Sequence, residues 1–214
     1  MCFSEEVSWL TLIIGTVVNI ACIIYLSRIP NRNVIIPILL VLSWQYALLM
    51  QIPDALAWRN PSSETPGKLA FILNVTQPLV WLMAVCIIFY MYNLPIIRLI
   101  PGIILFMIYI VDVIRQIPKI NFQVKYDNCR NLQYTWWRKI SPGLYILSCC
   151  AILLAIPSIP LVIINLVLFL GTLLMSMALV KKGCSPGSLW CWGVAICGFI
   201  VTIFWKYFGN KSLI

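Results

Sequence analysis

From its N-terminus onward, the chain shows neither the two-residue alternation of a half-buried strand nor the narrow stripe of a surface helix. Apolar residues come in long runs, broken by short polar segments rich in proline, glycine and charge. Seven runs approach the roughly 20 residues that a helix needs to cross about 30 Å of hydrocarbon while satisfying its own backbone hydrogen bonds. They lie near 7–27, 34–58, 69–92, 96–114, 142–158, 160–180 and 189–208. The pattern predicts an all-α membrane protein, a seven-transmembrane helix bundle with short connections, forming a single polytopic domain over 1–214.

The fifth and sixth runs are separated only by Pro157, Ser158 and Pro160. One helix over 143–180 would measure about 57 Å, too long for a single crossing. The two prolines remove backbone donors where a tight turn is needed, so two spans are expected.

Composition agrees with this pattern and narrows the chemistry. Of 214 residues, 62% are hydrophobic and 10% charged, and mean hydropathy is +0.98. Soluble chains carry about 25% charged residues, so an ordinary soluble domain, a disordered chain and a compact secreted scaffold are excluded. The chain has no histidine, which removes the usual general base and the commonest metal ligand. No metal set and no cofactor is expected. The nine cysteines are odd in number, several sit in apolar runs, and they show no C-x-x-C or zinc spacing, so no disulfide framework is expected. The first residues carry no basic charge ahead of the first run and do not read as a cleavable signal.

The net charge of +9 is distributed around the apolar runs, which points to lipid headgroups and topology rather than to nucleic acid. With seven spans, ten Lys and Arg residues fall on the side of the N-terminus and five on the other. The positive-inside rule then places the N-terminus in the cytoplasm and the C-terminus opposite. The fourth connection alone, 115–141, carries six of the fifteen basic residues and includes Trp136, Trp137, Arg138 and Lys139. Aromatic rings beside basic residues suit the headgroup layer, anionic lipid included, and the connection reads as an interfacial helix, a partner-binding loop or, in the favoured reading, a solvated turn.

Gln51, Asp54 and Trp58 share one stripe of the second helix. Pro53 interrupts it and deprives the Leu49 carbonyl of its usual helical donor. Asn74 and Gln77, with Trp81, form a similar stripe on the third helix beside Pro78. Seven spans bring both stripes to the same membrane face as Trp190 and Cys191, which open the last span. These residues are the candidate pocket: Gln51, Asp54, Trp58, Asn74, Gln77, Trp190 and Cys191. A carboxylate within a span is a functional candidate by default. The alternative is that Asp54 reaches headgroup water and pairs with Arg59, while the amides act as interhelical glue.

Asp112 and Arg115, at i and i+3 on the fourth helix, are expected to form a structural ion pair. Gly183-Cys184-Ser185-Pro186-Gly187 matches the spelling of a nucleophile elbow, but such an elbow needs a strand, a helix and a histidine base. No catalytic constellation is expected.

The opening Met1-Cys2-Phe3-Ser4, Met50-Gln51 with Asp54 and Trp58, Gln77-Pro78, and Gly187-Ser188-Leu189-Trp190-Cys191-Trp192 together resemble motifs of a family of uncharacterised multi-pass membrane proteins known from bacteria and from large DNA viruses of eukaryotes. The last motif and the isoleucine-rich composition look closer to the viral members. Pro53 departs from the apolar residue commoner in the family. The resemblance implies motifs and no reaction.

Two functions from different classes fit these residues. One is a transporter or channel for a small solute, ion or proton, with Asp54 binding the cation and Gln51 and Gln77 ordering water or solute. The other is a non-catalytic membrane scaffold that binds lipid or a partner through the fourth connection, in a viral membrane where the resemblance to viral members is followed. An intramembrane enzyme using Cys2, Cys191 or Asp54 lacks an accompanying base.

Overall fold

A computed structural model describes residues 4–126, 132–179 and 187–208, excluding the side chains of Arg138, 175–179 and 187–192. The fold is helical. Its elements are α1 (Glu5–Ser27), α2 (Ile35–Leu48), α3 (Gln51–Arg59), α4 (Thr65–Met91), α5 (Ile100–Gln116), α6 (Pro142–Leu154), α7 (Ile159–Leu179) and α8 (Gly187–Phe208). A two-residue step separates α2 from α3, so the eight helices make seven rods that coincide with the seven apolar runs.

Local chemistry explains most of the boundaries. Ser4 caps α1 by accepting from the Val7 N–H, and Glu5 and Glu6 complement the positive end of the helix dipole. Ser63 accepts from Thr65 N–H where α4 begins, and Pro66 sits in the first turn, where its missing N–H costs nothing. Ser141 caps α6 through the Leu144 N–H. The predicted break before the sixth run appears between Leu154 and Ile159. Pro78 does not end α4, which runs 27 residues without interruption.

The break between α2 and α3 lies just before Pro53, but the Leu49 carbonyl does not stay open. The Ile52 N–H closes on it at 3.0 Å in a tighter turn, so the expected exposed acceptor beside Asp54 is already used.

Contacts fix the directions of the rods. Glu5 meets Arg59, and Thr16 meets Gln45, so α1 and α2–α3 are antiparallel. Thr76 meets Tyr46 while Asn74 meets Met50, which reverses direction again into α4. Asp112 meets Ser141 while Gly102 lies against Ile152, so α5 and α6 are antiparallel. Gly15 lies against Ala195, Asn19 against Gly198 and Tyr25 beside Lys206, so α1 and α8 run parallel. The start of α1 and the end of α8 therefore occupy opposite ends of the bundle. At the end opposite Glu5, Arg32 donates to the Met91 carbonyl and Tyr92 donates to Asn33, tying the first and third connections together.

Four segments are long and apolar enough to cross a membrane: Glu5–Ser27, Arg32–Arg59, Thr65–Met91 and Ile100–Lys119. The protein is membrane-embedded on that ground. The parts of α6, α7 and α8 with described side chains, Pro142–Leu154, Ile159–Leu174 and Gly193–Phe208, are apolar as well. The 13 residues of α6 rise only about 20 Å. Its first turn starts beside Asp112, one turn before the end of α5.

The long connection between α5 and α6 is not a solvated turn. It contains a hairpin of β1 (Val124–Tyr126) and β2 (Leu132–Tyr134), antiparallel in the register Val124 to Tyr134 and Tyr126 to Leu132. Val124, Leu132, Tyr134, Trp136 and Ile140 are all buried. Gly67 makes this approach possible: a Cβ there would sit 1.7 Å from the Phe122 carbonyl oxygen.

Candidate functional site

Asp54 lies five residues before the end of α3, and its side chain is fully buried. A carboxylate removed from water costs several kcal/mol, roughly, unless its oxygens are bonded. The Tyr134 hydroxyl donates to Asp54 Oδ1 at 2.8 Å. Arg59, the alternative partner expected from sequence, reaches Glu5 of α1, with Nε 3.1 Å from Oε1. One partner of Asp54 thus comes from the hairpin folded over the bundle.

Gln51 and Asn74 are buried close by. The Asn74 amide nitrogen donates to the Ala70 carbonyl within its own helix and approaches Met50 Sδ at 3.0 Å, linking α4 to the step that precedes α3. Trp58 is half-buried and stacks at a tilt on Tyr126 of β1, with centroids 5.3 Å apart. Gln77, three turns into α4, accepts from the Tyr145 hydroxyl of α6. Its amide nitrogen, buried, has no hydrogen-bond partner among the described residues.

The two predicted stripes are joined by aromatic rings. Tyr134 packs against Trp136 at 5.9 Å, Trp136 against Trp137 at 5.5 Å, and Trp137 against Tyr145 at 5.7 Å. The path therefore runs from Asp54 through two tyrosine hydroxyls and two indoles to Gln77. Phe71 of α4 adds an edge contact to Trp136, and Phe122 packs on Phe71. Edge-on aromatic pairs contribute about 0.5–1.5 kcal/mol each beyond their buried area, so this column anchors the connection firmly.

Four of the expected residues, Gln51, Asp54, Asn74 and Gln77, are thus internal. Trp190 and Cys191 belong to the first turn of α8, and their side chains lie outside the described residues, as does Cys2.

The expected headgroup-facing set divides. Trp136 is 1% exposed and belongs to the internal column, which corrects its assignment to the headgroup layer. Trp137 is half-buried against Tyr145, and Lys139 is exposed. The Arg138 side chain lies outside the described residues. The apolar side of this segment packs inward on Phe71, Tyr134 and Tyr145.

Asp112 and Arg115 do not form the expected contact pair. Asp112 Oδ2 accepts from the Ser141 N–H at 3.1 Å, holding the start of α6, while Arg115 is exposed. The ion pairs among the described residues are Arg59–Glu5 and Lys68–Glu64. A groove of about 350 Å³ opens beside this region, lined by Met107, Ile108, Val111, Asp112, Arg115 and Leu144. None of the predicted pocket residues lines it. Among the described residues, no group of three or more Cys, Asp or Glu side chains gathers to hold a metal. The Gly183–Gly187 elbow spelling falls largely outside the described residues.

A second polar system joins the rods at mid-bundle. Trp44 donates to Asn165 Oδ1 at 2.9 Å, and Asn165 donates back to the Leu161 carbonyl. Asn19 donates to Gln45, and Gln45 to Thr16. These bonds tie α2 to α7 and α1 to α2.

Tyr134 and Tyr145 are the functional-site residues that a reading of spans overlooks. The alternation Leu132-Gln133-Tyr134, buried, half-buried and buried, is the local signal of an inward-facing strand residue. Nothing local marks Tyr145 as the partner of Gln77.

No family model, curated protein or solved structure matches the chain.

Proposed function

We propose that the chain is a seven-span membrane protein that handles a proton or small cation at Asp54, and that the connection between α5 and α6 is the element that closes over this site. In this reading α6, α7 and α8 cross with the four longer segments. The N-terminus then faces the cytoplasm and the C-terminus the opposite side, as the distribution of basic residues favours. The resemblance of the Met-Gln, Gln-Pro and Gly-Ser-x-Trp-Cys segments to a bacterial and viral membrane family agrees with a multi-pass protein and supplies no reaction. We assign it no catalysis and no cofactor.

The supporting observation is the hydrogen bond from Tyr134 to Asp54. A buried intramembrane carboxylate is expensive to keep and marks ion or proton paths by default. Here one donor to it, the Tyr134 hydroxyl, sits on a connection rather than on a membrane helix, so that donor can withdraw without dismantling the bundle. Gln77 and Tyr145 lie along the same column and offer further polar groups once the aromatic packing loosens.

The packing of the column favours a second reading. With Asp54 and Gln77 both bonded by tyrosines, the polar residues serve equally well as internal ties of a non-catalytic membrane component that binds lipid or a partner. Flux separates the two. Purified protein in liposomes with a trapped pH-sensitive dye should pass protons or a monovalent cation down an imposed gradient, and Asp54→Asn should abolish the flux. Flux unchanged in Asp54→Asn, or none for any cation tried, would favour the second reading.

A further inference from the structure

We propose that the groove on the outer face of α5 binds a membrane phospholipid with a primary ammonium headgroup, such as phosphatidylethanolamine. The proposal rests on the protein being membrane-embedded and does not depend on any role of Asp54.

The groove combines two kinds of surface. Met107, Ile108 and Val111 are about half exposed, at 54%, 48% and 44%, and form an apolar wall with Leu144 of α6. Above that wall, within a turn of the end of α5, stand Asp112 and Arg115. A side chain at i and one at i+3 share a helix face with roughly 5–6 Å between their Cβ atoms. The two charges nevertheless make no contact pair, because Ser141 N–H holds one carboxylate oxygen of Asp112 and Arg115 extends outward.

Opposite charges that share a groove and do not neutralise each other match a zwitterion. An ethanolamine headgroup carries a phosphate and an ammonium joined by an ethylene bridge. The Arg115 guanidinium suits the phosphate, as planar donors do. The remaining carboxylate oxygen of Asp112 accepts from the primary ammonium. An acyl chain then follows the apolar wall down α5, in the direction that the hydrocarbon lies. A choline headgroup carries no N–H to donate to Asp112, and a glycerol headgroup carries no positive charge, so the site discriminates by headgroup.

Native mass spectrometry of the purified, delipidated protein tests this with dioleoyl phosphatidylethanolamine, phosphatidylcholine and phosphatidylglycerol added in equal amounts. One phosphatidylethanolamine should be retained about tenfold more strongly than phosphatidylcholine, the expectation for one charge-assisted hydrogen bond. Arg115→Gln, at an exposed position, should weaken retention of both zwitterions. Asp112→Asn still offers an acceptor to the Ser141 N–H and should erase the ethanolamine preference while leaving phosphate binding. Equal retention of the three lipids, a preference for phosphatidylglycerol, or an ethanolamine preference that survives both substitutions would overturn the proposal. Helix content and melting temperature of each variant, matched to the parent protein, show that a loss is local.

Discussion

The Tyr134 hydroxyl and the Asp54 carboxylate meet at 2.8 Å although 80 residues separate them. One belongs to a hairpin in the longest connection, the other to a short helix that follows a break before Pro53. Their contact holds the connection down on the bundle. Tyr134→Phe removes this donor from a buried carboxylate, at a cost of about 1.5–3 kcal/mol for a hydrogen bond to a charged group. Thermal unfolding in detergent should show a lower melting temperature for Tyr134→Phe than for Asp54→Asn, because the amide still accepts from the hydroxyl. Equal melting of Tyr134→Phe and the parent would mean that the contact contributes nothing.

Glycine positions give a graded series. Gly67→Ala forces a methyl to within 1.7 Å of the Phe122 carbonyl and must lift the connection away from α4. Gly198→Ala places its methyl 2.1 Å from Asn19 Oδ1, which is buried. Gly171→Ala meets nothing within 4 Å and gains helix propensity worth up to about 1 kcal/mol. Melting temperatures should fall for the first two and hold or rise for the third. Limited proteolysis within the connection should accelerate only in Gly67→Ala.

The Trp44 and Asn165 pair predicts a coupling. Asn165→Leu leaves the buried indole N–H unpaired, costing about 1–3 kcal/mol. Combined with Trp44→Phe, which removes that donor, the same change should cost less than the sum of the two separate changes. A double-mutant cycle on unfolding in detergent measures the difference. Additive effects would show that the bond carries no net stability.

Arg59→Gln should matter little. Its own side chain is 74% exposed, so the pair with Glu5 is worth about 1 kcal/mol or less, and salt screens it further. A large loss of stability or of flux in Arg59→Gln would instead tie Arg59 to Asp54.

The helices were legible in the sequence because their signals are local. Apolar length marked each rod, and the prolines at 157 and 160 marked the turn that divides α6 from α7. The break beside Pro53 was legible as well, but not the closing of Ile52 N–H onto the Leu49 carbonyl, which depends on how tightly the last turn of α2 winds. The face of α2 was not legible, because that helix is apolar nearly all round. On α4 the polar stripe of Asn74 and Gln77 with Trp81 marked an internal side, and the apolar remainder gave no further signal. The fate of Trp136 illustrates the remaining difficulty. Beside Arg138 and Lys139 its indole suits a headgroup layer, yet it is buried against Phe71 and Tyr134, neighbours that only the tertiary fold supplies.

The most direct test of a gated Asp54 is to hold the connection closed and measure flux. Trp58 and Tyr126, whose rings lie 5.3 Å apart, mark where α3 meets the hairpin. In a background freed of other thiols, Trp58→Cys and Tyr126→Cys can be joined by a short, reducible crosslinker and the protein placed in liposomes. A gated site predicts no proton or cation flux while the tether is intact and recovery when it is reduced. Equal flux with the tether intact and cleaved would contradict it.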